Sequence, residues 1–176
     1  RYAPGFSGII GFEDPQSPDF ETLSNYCEPG EHFYCDHWTG KAPRGWQIDR
    51  EALMHKMVWD APIPPEDPAP DAVRLQPEHY PLAMALAHEL NPGPFEPRTP
   101  ELGEYFGYFD GPRLVALAGE RMEAGTLREL SAVCVRPEFQ GRGLARALSL
   151  KVIRRQMLRG QTPFLHVLNT NTAARS

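Results

Sequence analysis

The stretch LRELSAVCVRPEFQGRGLARALSLKVIRRQMLR, Leu127 to Arg159, leaves the chain few folds to choose from. Its first part, Leu127–Val135, carries an apolar run through Leu130, Ala132, Val133 and Val135 and reads as a strand. Arg136-Pro137-Glu138 ends that strand, because proline fixes φ and has no N–H to give to a ladder. From Gln140-Gly141-Arg142-Gly143-Leu144-Ala145 onward the spacing predicts a long helix. Its apolar stripe runs through Leu144, Ala147, Leu148, Leu150, Val152, Ile153 and Met157. Gly160 is placed to cap the helix, and Pro163 prevents its continuation. A strand feeding a helix in this way points to an α/β domain.

Such a junction is a place to hold an anion. The first N–H groups of a helix have no internal partners, and the helix dipole puts about half a positive charge there. Gly143 lacks a Cβ and lets the backbone come close to a phosphate. Arg142 and Arg146 add full charges on the first turns. The plain alternative is an ordinary strand–turn–helix. Two common phosphate motifs fail: there is no GK[ST] of a Walker loop, and Arg146 stands where GxGxxG needs its third glycine.

The run Val133-Cys134-Val135-Arg136-Pro137-Glu138-Phe139-Gln140-Gly141-Arg142-Gly143-Leu144-Ala145 resembles motif A of the GNAT acetyltransferase superfamily. That motif is a hydrophobic strand, a pair like Arg-Pro, then [RQ]-x-x-G-x-[GA], and Gln140, Gly143 and Ala145 fill its slots. Thr162–Val167 is similar to the next strand in a bacterial-type branch, and Asn171-Thr172-Ala173-Ala174 to the N-x-x-A that opens the last family helix. The resemblance implies a mixed central sheet flanked by helices, with acetyl-CoA as co-substrate where the fourth and fifth strands splay. The backbone of Val133, Cys134 and Val135 would pair with the pantetheine arm. The pyrophosphate would sit on the N–H groups of Gln140, Gly141, Arg142, Gly143, Leu144, Ala145 and Arg146, with Asn171 near the cofactor arm. The tyrosine that serves as general acid in many members would fall two residues past Ser176.

For the base, Glu129 is the first candidate, because family bases come from that strand or reach a water from it. Its alternative role is a surface carboxylate paired with Arg128 or Arg121. Glu120 on the neighbouring strand is second. His166 has the chemistry of a proton shuttle and lies on the strand bordering the splay; a structural, hydrogen-bonded histidine is its alternative. Cys134 lies beside the expected thioester but has no activating neighbour in sequence and reads as a buried, inert thiol. Cys27, His32, Cys35 and His37 fall within eleven residues, enough donors for tetrahedral zinc. Their spacing is not a common zinc pattern, and strand alternation would send His32 and Cys35 to opposite faces, so no metal is expected.

Charge is split along the chain. All 23 acidic residues lie at or before Glu138 against 11 basic ones there, a net −12, and the segment from Phe139 on is +7. That asymmetry suggests an anionic ligand on the basic side. Arg154, Arg155 and Arg159 could equally complement the helix dipole in solvent. The pI of 5.7 and the lack of aromatics interleaved on the basic helix argue against nucleic acid. No apolar run is long enough to span a bilayer. Three cysteines are too few for a disulfide framework and suit a cytoplasmic setting.

Residues 1–60 read as a smaller α/β segment, a candidate degenerate GNAT half. Asp19 is placed to cap a short helix, and Trp46–Trp59 could supply one or two strands or a helix. The proline-rich 61–72 reads as a linker. Residues 73–176 read as the GNAT domain, ending before its last helix and strand. Within it come a short strand, a helix over Pro77–Leu90 with a stripe at Leu82, Ala85, Leu86 and Leu90, a rigid loop Asn91–Pro97 and a hairpin turning at Asp110-Gly111. Phe95 in the rigid loop is the expected acceptor contact. The function expected is acetyl transfer from acetyl-CoA to a small-molecule or peptide amine by direct attack in a ternary complex. The alternative is a catalytically weak acyl-CoA-binding or regulatory module. A homodimer is compatible with either.

Overall fold

The computed structural model describes residues 1–172 and Ala174. Arg175 of the basic tail and Ala173 of the Asn-x-x-Ala stretch lie outside the described residues.

The N-terminal segment is sparse in regular structure. Strands β1 (Ile9–Ile10) and β2 (Tyr34–Cys35) form a parallel pair, with helix α1 (Phe20–Ser24) between them in sequence. The Asp19 carboxylate accepts the Thr22 N–H at 2.9 Å, the N-cap its position predicts. Phe20 is buried, its ring 4.9 Å from Phe12, 5.0 Å from Trp38 and 5.1 Å from Trp46. These aromatics make the segment a small core of its own.

One large sheet follows. It contains β3 (Met54–Val58), β4 (Val73–Arg74), β5 (Tyr105–Asp110), β6 (Arg113–Ala124), β7 (Leu127–Val135) and β8 (Thr162–Leu168), in the order β3-β8-β7-β6-β5-β4. Every pairing is antiparallel except β7 with β8. Helix α2 (Tyr80–Leu90) packs on one face over Tyr105, Leu114, Leu117, Ala132 and Cys134. Helix α3 (Leu144–Leu158) packs on the other over Phe106, Ala116, Ala118, Leu130 and Val135. The unbroken apolar run Leu114–Ala118 of β6 follows from this, since a central strand covered on both faces has no polar side. This is the mixed sheet flanked by helices that the sequence predicts.

Three details differ from expectation. The buried face of α2 is Ala83, Leu86 and Ala87, while Leu82 and Ala85 face solvent. The stripe is rotated because small alanines, not only leucines, permit close approach to the sheet. The buried face of α3 also includes the polar Lys151 and Gln156. Lys151 reaches Asp67 at 2.5 Å and the Ala69 carbonyl at 3.0 Å, and lies over the Phe106 ring. Asp67 and Ala69 belong to the proline-rich stretch. That stretch leaves β3 at one edge of the sheet and enters β4 at the other, tied to α3 on the way. A run of prolines is extended and stiff, which suits a strap across a sheet.

The basic tail does not form an open anionic-ligand surface. Arg155 and Arg159 both bind Glu104, and Arg159 also binds Glu120. The acidic and basic parts of the chain neutralise each other by folding together.

Candidate active site

Strands β7 and β8 part company inside the sheet. They pair in parallel only at Leu127 with Thr162, Arg128 with Pro163 and Glu129 with Phe164. Beyond that point β7 runs on to Val135 and β8 to Leu168, while β3 continues to hold β8 from its outer side. The inner edges of both strands are therefore open past Glu129. Within β7, Ala132 has φ 55°, and the pairing with β6 shifts register between Leu117 and Gly119. A left-handed alanine costs about 1–2 kcal/mol, and the bulge it forms bends β7 just where the strands separate.

The open edge of β7 carries usable backbone groups. The Arg136 N–H donates to the Val115 carbonyl on β6 at 2.9 Å. Antiparallel alternation then turns the groups of Cys134 toward β6 and those of Val133 and Val135 toward the opening. The Val135 carbonyl is already used: it accepts from Gln140 Nε2 at 3.1 Å. Arg136 itself ties the strand end to α2 through Glu89 and to the Leu114 carbonyl, so it is structural.

After β7, a single 3₁₀ turn at Pro137–Phe139 leads to Gln140, Gly141 and Gly143. Gly141 and Gly143 have φ of 75° and 77°, and a Cβ at either would meet nothing within 4 Å. Gly143 is the N-cap of α3, and no side chain caps the helix. The N–H groups of Leu144, Ala145 and Arg146 thus begin a helix with open space before them. Arg142 is turned back onto the Glu138 carbonyl and the Phe139 ring. Arg146 is exposed on the first turn. The glycine turn and open helix start fit a pyrophosphate, and the free edge of β7 fits an extended amide chain. Asn171 follows β8, exposed, and its side chain accepts the Ala174 N–H at 3.1 Å.

The two candidate catalytic residues meet at the vertex of the opening. Glu129 is fully buried, and its Oε1 is 2.9 Å from His166 Nδ1. Arg121 donates to both Glu129 oxygens, at 2.9 and 2.8 Å. Arg121 also donates to the Pro94 carbonyl at 3.2 Å, which fixes the rigid loop against the site. Burial pushes the Glu129 carboxyl up, but hydrogen bonds from His166 and Arg121 and the charge of Arg121 outweigh it and hold it below its ordinary value. The surface pairing considered for Glu129 is therefore excluded: Arg121 is its partner, but in the interior.

His166 is 10% exposed at its side chain, with Phe164 edge-on at 5.5 Å. Because Nδ1 faces a carboxylate, the neutral ring carries its proton there and leaves a lone pair on Nε2. Nε2 is buried and makes no hydrogen bond; the Asp36 carboxylate lies 3.3 Å from it. Asp36 comes from the segment after β2. Tyr2 is also close, its hydroxyl raised by burial and by the charge of Glu129.

Glu120 plays no part here. Next to Arg121 on β6, it points to the other face, where it binds Arg128, Arg159 and the Glu104 N–H. Cys134 is buried on the α2 side, and burial pushes its thiol up to about 12, so no thiolate forms at neutral pH. The zinc candidates go to separate partners: Cys27 to the Leu23 carbonyl, His32 to Asp49, Cys35 to the Asp36 carbonyl and His37 to Asp36. Among the described residues no three His, Cys, Asp or Glu side chains gather as a metal site. Phe95 is buried against Tyr105 and lines a cleft of about 370 Å³ with Gly8, His32, Tyr34, His88 and Glu96. Among the described residues no helix is long and apolar enough to cross a membrane.

The Arg121–Glu129 pair sets a stability prediction. Glu129→Gln leaves Arg121 buried without its counter-charge and is expected to cost about 3 kcal/mol or more in urea unfolding. The folded pKa of Glu129 lies below the unfolded one, so its stabilisation is complete above the ordinary value of 4.5. It is lost as pH falls through the lower folded value. The variant is therefore expected to lose less stability than wild type between about pH 5 and about pH 3.

Comparison with known proteins agrees with this architecture. The family model described as FR47-like protein matches residues 105–176. A GNAT-family protein of known structure from Novosphingobium aromaticivorans is 32% identical, with 97% of this chain and 76% of that one aligned and a TM-score of 0.87. The ribosomal-protein-S18-alanine N-acetyltransferase of Escherichia coli is 25% identical over 58% of this chain and 70% of its own, with a TM-score of 0.50. Rv2747 of Mycobacterium tuberculosis, solved in complex with CoA, shares the fold at 17% identity over 60% of this chain and 69% of its own, with a TM-score of 0.50. No curated protein matches the chain. With the splayed β7–β8 pair, the glycine turn into α3 and a relative aligned along nearly its whole length, the chain belongs to the GNAT family.

Proposed function

We propose that the protein transfers an acetyl group from acetyl-CoA to an amine, with His166 as the base and Glu129 as the residue that orients it. The observation that carries this reading is the coincidence of three things at one opening. The β7–β8 pair separates past Glu129, the buried Glu129–His166 pair stands at the vertex, and the glycine turn lies at the far end of β7. Bound acetyl-CoA supplies an activated acetyl group. Val133 and Val135 would pair with its pantetheine arm, and the N–H groups from Gln140 to Arg146, with Gly141 and Gly143 giving room, would hold its pyrophosphate. Asn171, whose Oδ1 already binds a backbone N–H, would serve at most the edge of that site.

His166 Nε2 would take a proton from the acceptor ammonium, and Asp36 would then stabilise the imidazolium. Glu129, clamped by Arg121, is a weak base and acts by fixing the ring. The cleft beside Phe95 is the acceptor side. The N-terminal segment, read as a small domain of its own, serves the site by covering this face. The three unpaired cysteines support a cytoplasmic protein.

The test is calorimetric titration of acetyl-CoA, then a panel of amines with thiol detection of released CoA. Binding with release of CoA only when an amine is present supports the reading. No binding ends it. A second reading, of an acyl-CoA-binding module without turnover, draws on Arg121's grip on Glu129, and binding with no turnover across the panel would favour it.

A further inference from the structure

Lys56 is a primary amine that the fold places beside the base. It lies on β3 directly opposite His166 of β8, so the two side chains share a face of the sheet. Its Nζ is 3.8 Å from Asp36 Oδ2 and 3.2 Å from His37 Nε2. The same Asp36 oxygen is the one 3.3 Å from His166 Nε2. Asp36 is held for this purpose by its own backbone: the His37 N–H donates to Oδ1 at 2.9 Å, which leaves Oδ2 to the three cationic groups. His37 is in the left-handed region at φ 59°, a conformation that costs a non-glycine residue about 1 kcal/mol or more.

The ammonium of Lys56 is therefore one carboxylate away from the buried, unbonded nitrogen at the vertex of the opening. Strand β3 stands about 4.8 Å beyond β8, a distance within the reach of a lysine's flexible four-carbon stem. The Lys56 side chain is 43% exposed, so it is free to swing.

Resting on the acyl-transfer reading above, we propose that Lys56 is an internal acceptor, acetylated on Nζ by this chain's own site. The step balances. The Lys56 ammonium gives one proton by way of Asp36 to His166 Nε2. The freed lone pair on Nζ forms a bond to the carbonyl carbon of the acetyl thioester, and the carbon–sulfur bond breaks. The sulfur leaves with the electron pair and takes the second proton lost from Nζ. The products are an Nζ-acetyl amide at Lys56, CoA as its thiol, and one proton that His166 returns to solvent. The amide is neutral, so Asp36 loses a cation and is freed to hold the ammonium of an external amine.

The chain contains three lysines, which makes the test sharp. Lys41 is exposed and away from this network, and Lys151 is buried against Asp67. The whole protein is incubated with acetyl-CoA, and acetyl groups are located by peptide mass mapping over time. Label is expected at Lys56, roughly ten-fold or more faster than at Lys41, at a rate independent of protein concentration. His166→Gln is expected to bring Lys56 down to the Lys41 rate, and Lys56→Arg to remove the fast label. Equal labelling of Lys41 and Lys56, or fast labelling that survives His166→Gln, overturns the proposal as solution chemistry. Turnover of external amines with Lys56 unlabelled overturns it and leaves the acyl-transfer reading standing. Absence of acetyl-CoA binding overturns both.

Discussion

Replacing His166 by glutamine is expected to lower kcat/KM for acetyl transfer by about 10²- to 10³-fold, the usual contribution of a positioned base. Glutamine keeps a polar group facing Glu129 Oε1, now 2.9 Å from Nδ1, but has no atom that can accept a proton at neutral pH. The protein should stay folded, because Arg121 still satisfies both oxygens of Glu129. The affinity for acetyl-CoA should be unchanged, since His166 lies on β8, away from the glycine turn. The limb of the pH–rate profile that reports a base should flatten in the variant. A variant within a few-fold of wild type, with the same pH profile, would show that His166 is only a structural histidine.

The second large effect is expected at the glycine turn. Gly143→Glu should weaken acetyl-CoA binding by about 100-fold or more, near 3 kcal/mol. Two causes add. The residue is fixed at φ 77°, where a side chain strains the backbone, and the new carboxylate enters the space before the first N–H groups of α3. Gly143→Ala separates them. It carries the same strain, meets nothing within 4 Å, and should lose less than about 10-fold. Calorimetry on both variants, with thermal unfolding to confirm that each is folded, reads the difference. Equal affinity in wild type and Gly143→Glu would mean that no phosphate sits at this turn.

Position by position, the sequence was informative where physics is local. The strand Leu127–Val135, the proline stop, the glycine turn and the helix to Leu158 are neighbours in the chain, so spacing alone reports them. The Asp19 cap and the Asp110-Gly111 turn are legible for the same reason. Glu129 and His166 were each identified as candidates from the strand they occupy. Their contact was not, because they are 37 residues apart and meet only through the short parallel pairing of β7 with β8.

The tertiary structure decided what depends on which distant surfaces meet. It made 61–72 a strap fastened by Lys151 instead of a bare connector. It spent the basic tail on Glu104 and Glu120, where charge counting suggested a free anion site. The cluster around Cys35 drew notice for its cysteines and histidines as metal donors. The residue within it that reaches the site is Asp36, and no local signal marks it. Nearest-neighbour chemistry, capping, turns and amphipathic spacing are written in the order of residues. Pairing of buried charges across a sheet is set by strand order and register, and those exist only once the chain has folded.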